Sequence, residues 1–236
     1  MSRAIRIGII DSGVNVNHPH VGNFCGGISI GAGENDQSYV DRLGHGTAIA
    51  GLLHQRAPQA QLFAVKVFHN SLATNLATLL FAIDWCLDND MDLINLSLGT
   101  LNVEHRGAFE TAIGRVQASG KAIVSAAEID GVPSLPGCLP GVIGVLADPV
   151  REPGEHTVQT CDGREVITAC PWAREIPGVP RERNLHGISF AVAHVTATLA
   201  ELRVAAENDV SVDWISLLSK FEKHPPGSRE FRTATV

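Results

Sequence analysis

What most constrains this chain is an alternation along its length. Short apolar runs, each ending at a small, polar or acidic residue, alternate with longer stretches in which apolar residues recur every three or four positions. The short runs are Ala4 to Ile10, Leu62 to Val67, Leu93 to Ser97, Ala122 to Ala126, Val142 to Leu146 and Val166 to Ala169. The longer ones are His45 to Gln55, Thr74 to Asp88, Glu104 to Ala118 and Ser189 to Glu207, followed by an amphipathic stretch from Val212 to Glu222. Strands covered on both faces read as apolar runs, and the helices that cover them read with a period of 3.6. The pattern therefore predicts an α/β fold with a mainly parallel central sheet and helices on both faces.

The chain has 236 residues, 44% of them hydrophobic, enough for one sizeable core. We read residues 1–236 as a single domain, with 224–236, HPPGSREFRTATV, as a C-terminal tail. The formal charge is −7 and only 18% of residues are charged, a balance that excludes a disordered chain and a basic nucleic-acid binder. The run from Ile5 to Ile10 is shorter than a signal-peptide core, and no continuous apolar stretch reaches the ~20 residues that span a bilayer. The expectation is a soluble cytoplasmic protein without nucleic-acid or membrane partners. Five scattered cysteines without a CxxC pair argue against a disulfide framework and a zinc site, and are expected to be small buried hydrophobes. His18 and His20 are expected to be exposed loop histidines. Gly26, Gly27, Gly31 and Gly33 do not form a nucleotide-binding fingerprint.

Three local signals carry chemistry, and each also has an ordinary structural explanation. Asp11 follows the first apolar run directly, so its carboxylate falls at the C-terminal end of a buried strand, where open α/β sheets build their sites. An Asp-Ser-Gly turn would account for it equally well. His45, bracketed by Gly44 and Gly46, opens an apolar helix and can point back at the sheet. Ser189 in HGISFAVAHV enters the longest helix; it is a natural N-cap, and it also stands where free backbone N–H groups can stabilise an oxyanion.

Taken together, the order Asp11, His45, Ser189 resembles the subtilase family of serine proteases. The matching blocks are DSG at 11–13 with His18-Pro19 downstream, GHGTAIAG at 44–51, AVKVF at 64–68, INLSLG at 94–99, VPSLP at 132–136 and GISFA at 187–191. The resemblance implies a subtilisin-like fold and a serine endopeptidase acting on a peptide or protein substrate without a cofactor. Ser189 would be the nucleophile, His45 the general base and acid, and Asp11 the group that orients the imidazole. Ser97, Leu98 and Gly99 match the segment that pairs with extended substrate, and Ser125, Ala126 and Ala127 match the opposite wall of the primary specificity pocket.

The chain also departs from the family pattern. Where relatives carry an asparagine that donates to the oxyanion, alignment places Glu128 or Ile129, and neither is an ordinary donor. Losing one such donor costs about 10²- to 10³-fold in turnover. By the resemblance, the chain is expected to be a small stand-alone catalytic domain without a pro-region. The short link from His45 to the AVKVF strand lacks the loop that holds calcium in many relatives, so no metal is expected. Two functions remain: an endopeptidase dedicated to processing a peptide or precursor, and a catalytically weak or inactive pseudoprotease that binds peptides in the same groove.

Overall fold

The computed structural model describes residues 3–31, 38–161, 163–206 and 213–220; the tail at 224–236 lies outside them. In chain order the elements are β1 (Arg6–Asp11), β2 (Phe24–Ser29), α1 (His45–Arg56), β3 (Gln61–Lys66), α2 (Leu76–Asp88), β4 (Leu93–Leu96), α3 (Arg106–Ala118) and β5 (Ala122–Ala126). They continue with β6 (Glu128–Ile129), β7 (Val132–Pro133), β8 (Ile143–Ala147), β9 (His156–Cys161), β10 (Arg164–Ala169), α4 (Ile188–Ala205) and α5 (Trp214–Lys220). One eight-stranded sheet runs in the order β2-β3-β1-β4-β5-β8-β10-β9, parallel throughout except for β9 against β10. The expected mainly parallel sheet with helices on both faces is what the chain forms.

Side-chain alternation divides the core into two layers. Ile7 and Ile9 of β1, with Leu62 and Ala64 of β3 and Leu93 of β4, pack beneath α1 and α4. Ile10, Val65, Ile94 and Leu96 face the other way, against α2 and α3. Burying one aliphatic side chain of this size is worth about 1.5–3 kcal/mol, so each layer is strongly committed to its face. By the two-residue period, Asp11 then falls on the face of Ile7 and Ile9, the face covered by α1 and α4. This parity places the end of β1 under the helices that begin with His45 and Ser189.

The six expected strands all form, with ends shifted by one or two residues. Two edge strands, β2 and β9, and the hairpin β6–β7 were not foreseen. FCGGIS in β2 carries two glycines and little alternation, and it owes its place to pairing with β3 at the sheet edge. The hairpin turns through Asp130 and Gly131, both with positive φ (51° and 77°), which is the Asp-Gly signature of a tight β-turn. Of the cysteines, Cys86 and Cys170 are buried as expected, whereas Cys25 is exposed and Cys138 and Cys161 are half-buried. α4 is apolar and long enough to cross a bilayer by composition, but it is mostly buried against the sheet and α1 and serves as the central helix of one core layer.

Candidate active site

The link from β1 through β2 to β3 runs to one side of β1, and β4 lies on the other, so the C-terminal ends of β1 and β4 form a switch point of the sheet. Asp11 closes β1 there with its side chain essentially out of solvent. His45, first residue of α1, turns back over it. Its Nδ1 lies 2.8 Å from Asp11 Oδ1 and 2.9 Å from Oδ2. Asp11 Oδ1 also accepts from the Ser12 N–H at 2.7 Å, and Ser12 Oγ accepts from the Gly46 N–H at 2.9 Å, which ties the strand end to the first turn of the helix.

Gly46 is required by this close approach. A Cβ there would lie 2.2 Å from the Gly13 carbonyl oxygen and 3.2 Å from Asp11 Oδ1. The His-Gly pair is thus a packing demand: the helix can bring its imidazole onto the carboxylate only if the next residue has no side chain.

The entry to α1 is capped from outside the motif. Asp41 Oδ1 accepts from the Leu43 and Gly44 N–H groups at 2.8 and 2.9 Å, and Oδ2 accepts from Thr47 N–H and Oγ1 at 2.9 and 2.7 Å. Although burial works against its charge, these four donors hold the Asp41 carboxyl below the usual carboxylate range. Lys66, buried at the end of β3 and in register with Asp11, donates to the Val40 carbonyl at 2.7 Å and fastens the same segment. Neither residue was singled out from sequence. The Asp41 signal, a carboxylate ahead of a helix start, was present but was overshadowed by His45.

Ser189 is the second residue of α4, after Gly187 at its N-cap. Its hydroxyl donates to the Ser97 carbonyl at 3.2 Å, and among the described residues no hydrogen bond joins it to His45. The next residue, Phe190, sets its ring 6.0 Å from the imidazole, centroid to centroid. Asn95 orders the facing segment: its Nδ2 donates to Ser97 Oγ at 2.7 Å, and its Oδ1 accepts from Thr196 Oγ1 of α4 at 3.0 Å. This buried link between β4 and α4 was also missed from sequence, because Asn95 and Thr196 are 101 residues apart.

Ser97, Leu98 and Gly99 continue from β4 beside Ser125, Ala126 and Ala127 of the neighbouring strand. The three residues at 125–127 are all buried, and Ser125 Oγ donates to the Leu98 carbonyl at 3.5 Å. Thr100 and Leu135 exchange two backbone hydrogen bonds of 2.9 Å, and Ser134 N–H donates to the Ala127 carbonyl, so the segment 134–135 bridges the two walls. A Cβ on Gly99 would lie 2.1 Å from Ser134 Oγ. Ser134 therefore fills the space against Gly99.

Glu128 and Ile129 form β6, with Glu128 exposed and Ile129 half-buried. Successive strand residues point to opposite faces, so only one of the two can face Ser189. Among the described residues, no hydrogen bond or ion pair joins either side chain to Ser189 or His45. Nor does any group of three or more His, Cys, Asp and Glu gather there as a metal site.

The His45 pKa is subject to opposing influences. Burial alone would lower it, but the hydrogen bond to Asp11 and the charges of Asp11 and Asp41 raise it, and the net shift is upward from 6.5. His194, deeper in α4, is pushed down to about 4, chiefly by burial, and accepts no role at the site; its Nε2 lies 3.0 Å from the Trp172 carbonyl.

Comparison with known proteins places the chain in a family. The family model described as Subtilase family matches residues 2–147. The chain is 30% identical over 208 residues to the thermostable alkaline protease of Halalkalibacterium halodurans, covering 83% of this chain and 55% of that protein. It is 32% identical over 219 residues to subtilisin E of Bacillus subtilis, covering 83% and 54%. Against the subtilisin of Bacillus pumilus it is 31% identical over 219 residues, covering 83% and 75%. It thus spans about half the length of the first two. The structure of the prenylagaramide maturation protease PagA is similar in fold, with a TM-score of 0.64 at 24% identity over 86% of this chain and 77% of that one.

Proposed function

Because this chain belongs to the subtilase family, we propose that it is a serine endopeptidase with Ser189 as nucleophile, His45 as general base and acid, and Asp11 as the orienting carboxylate. The observation that carries this reading is the buried two-oxygen contact of Asp11 with His45 Nδ1, facing the helix start that bears Ser189. With Nδ1–H held by the carboxylate, Nε2 is left unprotonated and can accept the Ser189 proton as Oγ attacks a peptide carbonyl. The imidazolium then gives that proton to the departing amine, and water repeats the sequence on the acyl-enzyme. The Phe190 N–H bonds the Gly187 carbonyl at the N-cap at 3.0 Å, whereas the Ser189 N–H has no intrahelical partner and supplies one donor to the oxyanion.

On this reading the acyl side of the substrate pairs along Ser97–Gly99, and its last residue lies between that segment and Ser125–Ala127. Dedication to one peptide or precursor, the kind of role named for PagA, is supported by the Glu128–Ile129 stretch, which suits a slow, selective enzyme better than a general one. Five free thiols support a cytoplasmic setting.

A second reading, a peptide-binding pseudoprotease, is favoured by one observation: the Ser189 hydroxyl donates to Ser97 and not to His45. A fluorophosphonate probe separates the two. Labelling of the wild-type chain that is lost in Ser189→Ala supports the enzyme. Peptide binding without any labelling would overturn it in favour of the module.

A further inference from the structure

A groove of about 350 Å³ runs along α1 away from the candidate site. Gly44, Thr47, Ala48 and Gly51 line it from one face of that helix, at the spacing of consecutive turns. Its near end touches Gly44, next to His45, and Leu185, four residues before Ser189; Ser97, Leu98 and Gly99 do not line it. At the far end, a Cβ on Gly51 would lie 3.3 Å from His20 Cβ. Seven helical residues at 1.5 Å each separate the two ends by roughly 10 Å, the span of about three residues of extended peptide.

The far end carries a cation with no carboxylate partner among the described residues. Arg174 Nη1 lies 2.9 Å from Nε2 and 3.1 Å from Nδ1 of His20, and among the described residues no carboxylate is within ion-pair distance of Arg174. A neutral imidazole accepts one N–H, whereas a guanidinium has five. Burial, the Arg174 charge and His18 together lower the His20 pKa, so the charge at this end rests on Arg174. The groove's own carboxylate, Asp41, is at the near end and is engaged by its four donors. The arginine is held in place by its backbone: Asn184 Nδ2 donates to the Arg174 carbonyl at 2.8 Å, and Ala173 N–H donates to the Leu185 carbonyl at 3.0 Å. His18 and His20 are half-buried around this pocket, which corrects the expectation of exposed loop histidines.

We propose that this groove receives the leaving-side segment of the substrate and that Arg174 binds a carboxylate on it, about three residues past the scissile bond. The proposal rests on the endopeptidase reading for its direction. The carboxylate is either an acidic side chain or the C-terminus of a short trailing segment, since a guanidinium forms the same paired hydrogen bonds with both.

Peptides with one fixed acyl side test it. In one set the third residue after the scissile bond is Glu, Gln or Lys within a longer chain. In the other, the peptide ends at that residue as the free acid or the amide. A charge-assisted pair predicts about tenfold or greater preference in kcat/KM for the carboxylate form, in the first set if a side chain is bound and in the second if the terminus is. Arg174→Met should remove the preference and Arg174→Lys should retain part of it. Fluorophosphonate labelling of the wild-type chain reports separately on the nucleophile. If labelling fails, anisotropy of the leaving-side peptides on Ser189→Ala decides the matter, because carboxylate-dependent binding there needs no catalysis. Equal handling of Glu, Gln and Lys and of acid and amide, by whichever readout applies, overturns the proposal.

Discussion

The Ser189 hydroxyl donates to the Ser97 carbonyl at 3.2 Å, just past the end of β4, the parallel strand beside the one that closes at Asp11 under His45. On the proposed mechanism the nucleophile is therefore parked on the segment expected to pair with substrate. An extended peptide competes for the backbone groups of that segment, so substrate entry and release of the hydroxyl toward His45 are coupled on the proposed mechanism. Apo geometry of this kind is compatible with catalysis, because catalytic hydrogen bonds often tighten only in the complex.

The pH dependence follows from His45. On the proposed mechanism its neutral form is the base, and its pKa is raised above 6.5, so probe labelling at Ser189 should rise with pH through a midpoint above that value. The sign for stability is opposite. A raised folded-state pKa contributes stability that is fully present below the unfolded value near 6.5 and is lost as pH rises through the folded value. Asp41→Ala should lower the labelling midpoint by removing a charge that raises the His45 pKa. Loss of the cap should also cost about 0.5–2 kcal/mol in denaturant unfolding. An unchanged midpoint in this variant would mean that Asp41 acts only as a cap.

Gly46→Ala should be far more damaging than an ordinary helical glycine substitution, which usually gains stability. The new Cβ meets the Gly13 carbonyl oxygen at 2.2 Å, and both partners are backbone-held. Forcing such an overlap costs about 1–3 kcal/mol or more. Urea midpoints for Gly46→Ala and for Gly114→Ala, where a Cβ meets nothing within 4 Å, should move apart, with only the first destabilised.

Asn95→Leu strips the donor from half-buried Ser97 Oγ and one of two acceptors from Thr196 Oγ1, which keeps the Val192 carbonyl at 2.9 Å, so the loss should be about 1–3 kcal/mol in all. We expect lower stability together with a rise in KM for peptides, since the substrate-pairing segment loses its tether. Thr196→Val, which leaves the Asn95–Ser97 contact in place, should cost stability with a smaller effect on KM. If both variants shift KM equally, the network does not order Ser97.

Glu128→Asn and Ile129→Asn test the second oxyanion donor. Because the two side chains leave β6 on opposite faces, one variant alone should raise kcat, by about 10- to 10³-fold on the scale of a single donor. Single-turnover acylation rates would separate this from changes in product release. No gain from either variant would mean that another group completes the hole.

Elements with strong local signals were legible along the chain. The apolar run of β1 already placed Asp11 at the C-terminal end of a strand, and the glycines around His45 and before Ser189 marked helix starts, of which Gly46 is explained by close approach. Such features depend on residues within a few positions, where strand and helix periods set geometry. Other features were decided only by tertiary packing. β2 has two glycines and little alternation, and becomes a strand because β3 offers it an edge. Asp41 caps α1 through a loop, Asn95 reaches Thr196 across 101 residues, and Arg174 meets His20 across 154. Each of these is a side chain satisfying a buried or half-buried polar group across the fold. Single-residue spacing carries no record of such a partner, because the pairing exists only once the sheet has brought distant segments within hydrogen-bond reach.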